Sequence, residues 1–191
     1  MSRLYFLLGV LVTCLSVALM APKIVGSPII HTRDVIKTDT LYVDKTTPNF
    51  QLEAHQIKSS LNKSKLKHLL IYIHALCVEY NVDYNLVKAV IATESSWNHK
   101  ATSTSDARGL MQVKPQTAFA EFKTPGGDLY DPYVNVTLGI MYLSRLTQHY
   151  KMKTQAELLT AYSHGPTATK GYSEKYKTGN FYVASVLGKI N

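Results

Sequence analysis

Glu94 is the residue whose type and place in the chain point most directly to chemistry. It ends the largely apolar run Leu86 to Thr93, with Val90 and Ile91 one turn back and Val87 two turns back. On a helix those positions share one face, so the carboxyl belongs to the stripe that faces the core. It also lies at the C-terminal end of that helix, where the backbone dipole disfavours a negative charge. Both effects raise a carboxyl pKa, the direction a general acid needs near neutrality. Many acids at helix ends simply turn to solvent, so spacing alone does not assign Glu94 a catalytic role. Asp106, on the loop between Glu94 and Gly109, is a second acid close by in sequence, of the kind that more often serves a turn or cap. Glu94 and His99 lack a zinc-ligand spacing and the seven histidines are scattered, so neither metal nor cofactor is expected.

The elements that must position Glu94 are helical. Leu66, Leu69, Leu70, Ile73, Leu76, Cys77 and Tyr80 follow one helical face, behind Lys63, Lys65 and Lys67, which read as a solvated face. Asp83 caps a second helix from Tyr84 to about Ser95. A polar loop follows from Asn98 to Arg108, then Gly109-Leu110-Met111-Gln112 and a short helix over Pro115 to Phe122. Pro125-Gly126-Gly127 reads as a turn. Asp131-Pro132, a cap with proline at the first helical position, opens a long helix through Val136, Ile140, Leu143, Leu146 and Tyr150. One more helix spans about Thr154 to Ser163, stopped by Gly165-Pro166, and a last one starts near Gly179. The expected fold class from Ile57 onward is all-α, with room only for minor extended segments.

Four ordered blocks then carry a resemblance. Glu94-Ser95-Ser96-Trp97-Asn98 with Ala101 and Ser103 is the first, and Gly109-Leu110-Met111-Gln112 with Pro115 and Thr117-Ala118 the second. Asp131-Pro132 with Asn135 and Leu138 to Leu143 is the third. Ala161-Tyr162-Ser163-His164-Gly165, followed by Thr178 and Tyr182-Val183, is the fourth. Together they resemble the catalytic domain of the soluble lytic transglycosylases, which is related to goose-type lysozyme, over roughly Asp83 to Leu187.

The resemblance implies a lysozyme-like domain in which Glu94 is first the catalytic acid and then the base. Ser103 matches a serine that orients the substrate's N-acetyl group, with a loop or capping role as its alternative. Met111 and Gln112 match cleft-lining residues, Met111 being equally suited to fill the core. Tyr162 matches a tyrosine near the acid, and Tyr182 one that lines the saccharide cleft. The implied reaction cleaves the β-1,4 bond between N-acetylmuramic acid and N-acetylglucosamine in peptidoglycan and leaves a 1,6-anhydromuramyl product. A lysozyme-like muramidase is the nearest alternative; an inverting one would use a second carboxylate to activate water, and Asp106 is the candidate for it. A noncatalytic peptidoglycan-binding protein of a secretion or pilus assembly is another. The chain departs from the family at His99 (often proline), Asp106 (often glycine) and Ser163 (often asparagine).

Residues 4–22, uncharged between Arg3 and Lys23, read as a secretory signal peptide, with an uncleaved membrane anchor as the alternative. The chain thus divides into a signal or anchor over 1–21, an arm or linker over 22–56, and the helical domain over 57–191. Export to the periplasm or cell envelope follows. Cys14 belongs to the apolar segment; if that segment is removed, Cys77 is the lone, core-like thiol with no intramolecular disulfide partner. The length of 191 residues suits one globular core. The net charge of +8 suits an anionic wall, and since Arg3 is the only charged residue before Lys23, the positive balance lies in the rest of the chain. No nucleic-acid motif accompanies the lysines near Lys63 or from Lys170 to Lys177, so no nucleic-acid partner is expected. Thirteen tyrosines against five phenylalanines and one tryptophan fit a wet aromatic groove better than a dry core.

Overall fold

The structure, a computed structural model, describes residues 47–124 and 128–190. The signal or anchor segment, the arm up to residue 46 and the Pro125-Gly126-Gly127 turn lie outside them. Nine helices form among the described residues. They are α1 (Phe50–Gln56), α2 (Lys63–Tyr80), α3 (Tyr84–Glu94), α4 (Pro115–Phe122), α5 (Pro132–Gln148), α6 (Gln155–His164), α7 (Pro166–Gly171), α8 (Glu174–Gly179) and α9 (Phe181–Leu187). The only β features among the described residues are two isolated bridges, Thr102 with Arg108 and Arg108 with Val113, so the fold is all-α as the periodicity requires.

The helix starts follow from side chains that satisfy otherwise orphaned backbone N–H groups. The Asp83 carboxylate accepts from the Leu86 amide at 2.6 Å, and Asp131 accepts from both Tyr133 and Val134. Thr154 and Glu157 form a reciprocal capping box at the start of α6. The core gathers one face of each longer helix: Leu66, Leu70 and Ile73 of α2, Val87 and Ile91 of α3, and Ile140 and Leu143 of α5, all fully buried. Cys77 is buried among them, and desolvation pushes its thiol up to about 12, so it acts as a small apolar residue.

The sequence pattern misses three short helices. α1 lies in the stretch read as an arm, and it packs on α2. Asn49 caps it, Phe50 and Ala54 are buried, and Glu53 accepts from the Tyr84 hydroxyl and the Lys88 ammonium. Helical packing among the described residues therefore starts at Phe50, about two turns before Ile57. Seven residues are too few to display a helical period, and such a helix holds only through tertiary contact. The same applies to α7 and α8, six residues each. Lys177 of α8 donates to Glu157 of α6 at 3.1 Å and to Glu174 at 2.7 Å, which ties α8 to the start of α6.

Two glycines set how closely the loop before α4 approaches α5. Gly109 has a φ of +74°, and an added Cβ would collide with the Asn135 side chain and the Leu129 carbonyl. Gly139 on α5 leaves the space that the Met111 side chain fills.

Candidate active site

Glu94 is the last residue of α3, and the chain turns at once. Ser96 and Trp97 both take positive φ, and Trp97 is buried. This strained turn is held from outside: the Ser59 hydroxyl and the Ser60 amide both donate to the Trp97 carbonyl, at 3.0 and 3.3 Å. The imidazole of His99 lies 2.7 Å from the Ser60 hydroxyl, which in turn accepts from the His99 amide. The histidine that replaces proline thus fastens the turn after the acid to the start of α2.

The Glu94 carboxyl is half-buried and makes no ion pair among the described residues. The Tyr182 hydroxyl of α9 donates to its Oε1 at 2.6 Å. Desolvation raises the Glu94 pKa, and the bond from Tyr182 opposes that rise more weakly. Beside it, the Tyr162 hydroxyl donates to the Met111 carbonyl at 2.8 Å, and burial together with the Glu94 charge holds this phenol well above its ordinary range. Tyr162 is therefore a fixed, neutral wall. Its ring meets that of Tyr142 on α5 at 5.7 Å.

These groups line a cleft of about 450 Å³ that also receives Ser103, Gln112 and Ser163. Of the residues expected at a site, Glu94, Ser103, Gln112, Tyr162 and Tyr182 come together here. Ser103 also braces its loop, accepting from the amides of Ser105 and Ala107. Gln112 has a φ of +49° and is held by bonds from its Nε2 to the carbonyls of Ala101 and Gly109.

Met111 is a correction. Its side chain is fully buried against Gly139 and does not line the cleft, so its contribution is the backbone carbonyl that anchors Tyr162. A flexible thioether fills the space that the missing Cβ leaves.

Asp106 is not a second site carboxylate either. It lies outside the cleft lining, takes a φ of +61° where the family often has glycine, and makes two bonds to the Arg108 guanidinium at 2.8 and 3.0 Å. That pairing offsets the strain of a left-handed aspartate. At Ser163 the hydroxyl lies 2.7 Å from His164 Nδ1 and 3.2 Å from its own helix carbonyls at Leu159 and Thr160, so it serves its helix and the neighbouring ring.

Leu138, Tyr142, Lys114 and His164 also line the cleft without having been singled out. Leu138 and Tyr142 lie four apart on α5, and this i, i+4 stripe was the available signal. Lys114 and His164 carry no such pattern.

An all-α fold with one half-buried acid under an aromatic, polar cleft defines the lysozyme-like class. The family model described as Transglycosylase SLT domain matches residues 71–184. The chain is 31% identical to Membrane-bound lytic murein transglycosylase E of Buchnera aphidicola subsp. Baizongia pistaciae, over 72% of this chain and 71% of that protein. It is 34% identical to the protein of the same description from Buchnera aphidicola subsp. Acyrthosiphon pisum, over 60% of this chain and 58% of that one. In fold it is similar to an inactive mutant of lytic transglycosylase Slt from Pseudomonas aeruginosa, with a TM-score of 0.52 and 20% identity. That likeness covers 63% of this chain, which spans 23% of the larger structure. The chain belongs to the transglycosylase SLT domain family.

Proposed function

We propose that this chain is a peptidoglycan lytic transglycosylase in which Glu94 serves in turn as acid and base. The observation that carries this reading is that Glu94 is the only carboxyl lining the cleft among the described residues, and it is bound by Tyr182 and unpaired with any cation. Protonated Glu94 gives its proton to the leaving glycosidic oxygen as the muramyl ring becomes oxocarbenium-like. The resulting carboxylate takes the proton from the muramyl C6 hydroxyl, whose oxygen closes on C1 to form the 1,6-anhydro ring. No water is consumed, and the tethered hydroxyl benefits from a high effective concentration. One carboxyl therefore suffices. The Tyr182 hydroxyl, donating to Oε1, supports the carboxylate and leaves Oε2 for the substrate. Gln112, Ser103 and the rings of Tyr142 and Tyr162 form the polar, aromatic walls that hold the N-acetyl sugars. No cofactor or metal enters the scheme.

The relatives described as membrane-bound support a place in the cell envelope. Residues 1–21 would deliver the domain there as a cleaved signal or a retained anchor, and service to a secretion or pilus assembly is compatible with the same activity. No helix among the described residues is long and apolar enough to cross a membrane.

Mass spectrometry of products from purified peptidoglycan tests the reaction. Chains ending in 1,6-anhydromuramic acid are expected, and reducing ends would instead assign a muramidase. Replacement of Asp106 by Asn is expected to change the rate by no more than about twofold, because this carboxylate serves its loop and not a water. A loss of about 10²-fold with a normal melting curve would restore Asp106 as a base.

The pH profile tests the acid. Glu94 must be protonated when the bond breaks, so activity declines as pH rises through its elevated pKa. The bond from Tyr182 favours the charged form. Tyr182→Phe is therefore expected to move the alkaline limb of kcat to higher pH while lowering the plateau. A limb that stays in place or moves to lower pH would remove Tyr182 from control of the acid.

A further inference from the structure

The chain beyond Glu94 is strained at two adjacent residues. Ser96 and Trp97 take φ of +49° and +63°, a region that an L side chain enters only at a cost. Relaxed to ordinary helical angles, they would carry α3 on past Glu94. The acid would then lose its place at the helix end, and Trp97 would leave the core that buries it. Such a turn persists only where its surroundings over-determine it. The restraint comes from the segment before α2, 37 to 39 positions upstream. The Trp97 carbonyl accepts from the Ser59 hydroxyl at 3.0 Å and from the Ser60 amide at 3.3 Å, and Ser60 Oγ also lies 3.3 Å from it. Ser60 Oγ accepts from the His99 amide at 3.1 Å and stands 2.7 Å from His99 Nδ1. That hydroxyl has one proton and two acceptors within reach. Facing a bare Nδ1, it donates to the ring. Facing a protonated Nδ1, it accepts from the ring and turns its own proton to the Trp97 carbonyl. The link between the start of α2 and the turn is therefore closed in either state of the imidazole. Neither Ser60 nor His99 lines the cleft, so what they do for the site passes through the backbone.

We infer that His99 and Ser60 are positioning residues for the acid: their hydrogen-bonded pair locks the left-handed turn that ends α3 at Glu94 and so holds the carboxyl against Tyr182. The inference rests on the assignment of Glu94 above. A turn freed from this pair lets the last residue of α3 move, and the carboxyl leaves both its half-buried place and the Tyr182 hydroxyl. Proton transfer depends steeply on such placement, whereas the cleft walls on α5 and α6 that bind sugar stay where they are. The loss therefore falls on kcat and spares KM. It also shifts the acid. Burial raises the Glu94 pKa by more than the Tyr182 bond lowers it, so a carboxyl that loses both titrates at lower pH.

The test is kinetic, on purified peptidoglycan. His99→Ala is expected to lower kcat about tenfold or more, with KM within about twofold of wild type and the alkaline limb of kcat moved to lower pH. His99→Asn, whose amide reaches Ser60 Oγ from near the place of Nδ1, is expected to restore both kcat and the limb. A lower melting temperature with kcat and limb unchanged would make the pair merely structural, a rise in KM alone would make it a substrate contact, and an Asn variant as slow as Ala would remove the hydrogen bond from the account. Each of these overturns the inference. Ser60→Ala is the second route should His99→Ala not fold. The double variant is expected to lose no more than either single one, and additive losses would show that the two residues act apart. Reducing ends in place of anhydro ends would change the reaction and leave the comparison intact, since Glu94 is still the acid. If wild type cleaves nothing, NMR titration of the Glu94 carboxyl carbon reads the lock alone. A lower midpoint in His99→Ala supports it, and an unmoved one overturns it.

Discussion

Replacing Glu94 by glutamine is expected to lower the release of anhydromuropeptides at least about 10³-fold, since the same group supplies both proton transfers. The amide keeps an oxygen that accepts from the Tyr182 hydroxyl, now 2.6 Å from Oε1, so the cleft retains its shape. The fold should gain stability from the same change. Burial raises the Glu94 pKa above its unfolded value. As pH rises between the unfolded and the folded pKa, the unfolded chain releases its proton first, and the native state loses stability. Glutamine carries no such penalty. Glu94→Gln is thus expected to melt above wild type near pH 7 and together with it at about pH 3, below both values. Two measurements decide the matter, anhydro-end release and melting temperature at the two pH values. Residual turnover above about a tenth of wild type would sink the assignment of the acid. A variant that melts below wild type near pH 7 would show that the carboxylate is stabilising where it lies.

The second large effect falls on stability and concerns Asn135, which is fully buried on α5. Its Oδ1 accepts from the Met111 amide at 2.7 Å, and its Nδ2 donates to the carbonyls of Arg108 and Leu129, both at 2.8 Å. One side chain thus joins the loop carrying Gly109 to Gln112, the start of α5 and the stretch before it. Asn135→Ala leaves the Met111 amide and the Leu129 carbonyl buried without partners, while the Arg108 carbonyl still accepts from the Val113 amide at 3.0 Å. At about 1–3 kcal/mol for each of these two groups, partly relieved by water, a loss of about 2–4 kcal/mol is expected. That is a large share of the 5–15 kcal/mol typical of a domain's whole stability, and denaturant unfolding would read it directly. Activity should fall as well, because the Met111 carbonyl that holds Tyr162 sits on the displaced loop. A measured loss below about 1 kcal/mol would mean that the loop is held by packing instead.

Much of this molecule was legible in the sequence because its longer helices carry their own signals. Asp83, Asp131 and Thr154 mark helix starts by the chemistry of their side chains, and the stripes behind them fix which face is buried. Glu94 was legible for the opposite reason, as an acid set where a helix should be apolar. The short helices α1, α7 and α8 were not legible, since six or seven residues cannot show a period and depend on tertiary contacts for their stability. Met111 and Asp106 were each open to two readings, and only position decided. The groove that a Cβ at Gly139 would fill takes up Met111, and the guanidinium of Arg108 takes up Asp106.

The tyrosine excess shows the same division. Thirteen tyrosines in the sequence pointed to a polar aromatic groove without saying which of them form it. Local sequence determined the helices, their caps and the misplaced acid, because those depend on neighbours within a turn. The tertiary structure alone brought Tyr182 to Glu94 across 88 positions of chain, set Tyr162 on the Met111 carbonyl and left Phe181 facing water. Contacts between residues so far apart in sequence depend on how whole helices pack, and no local pattern encodes that packing.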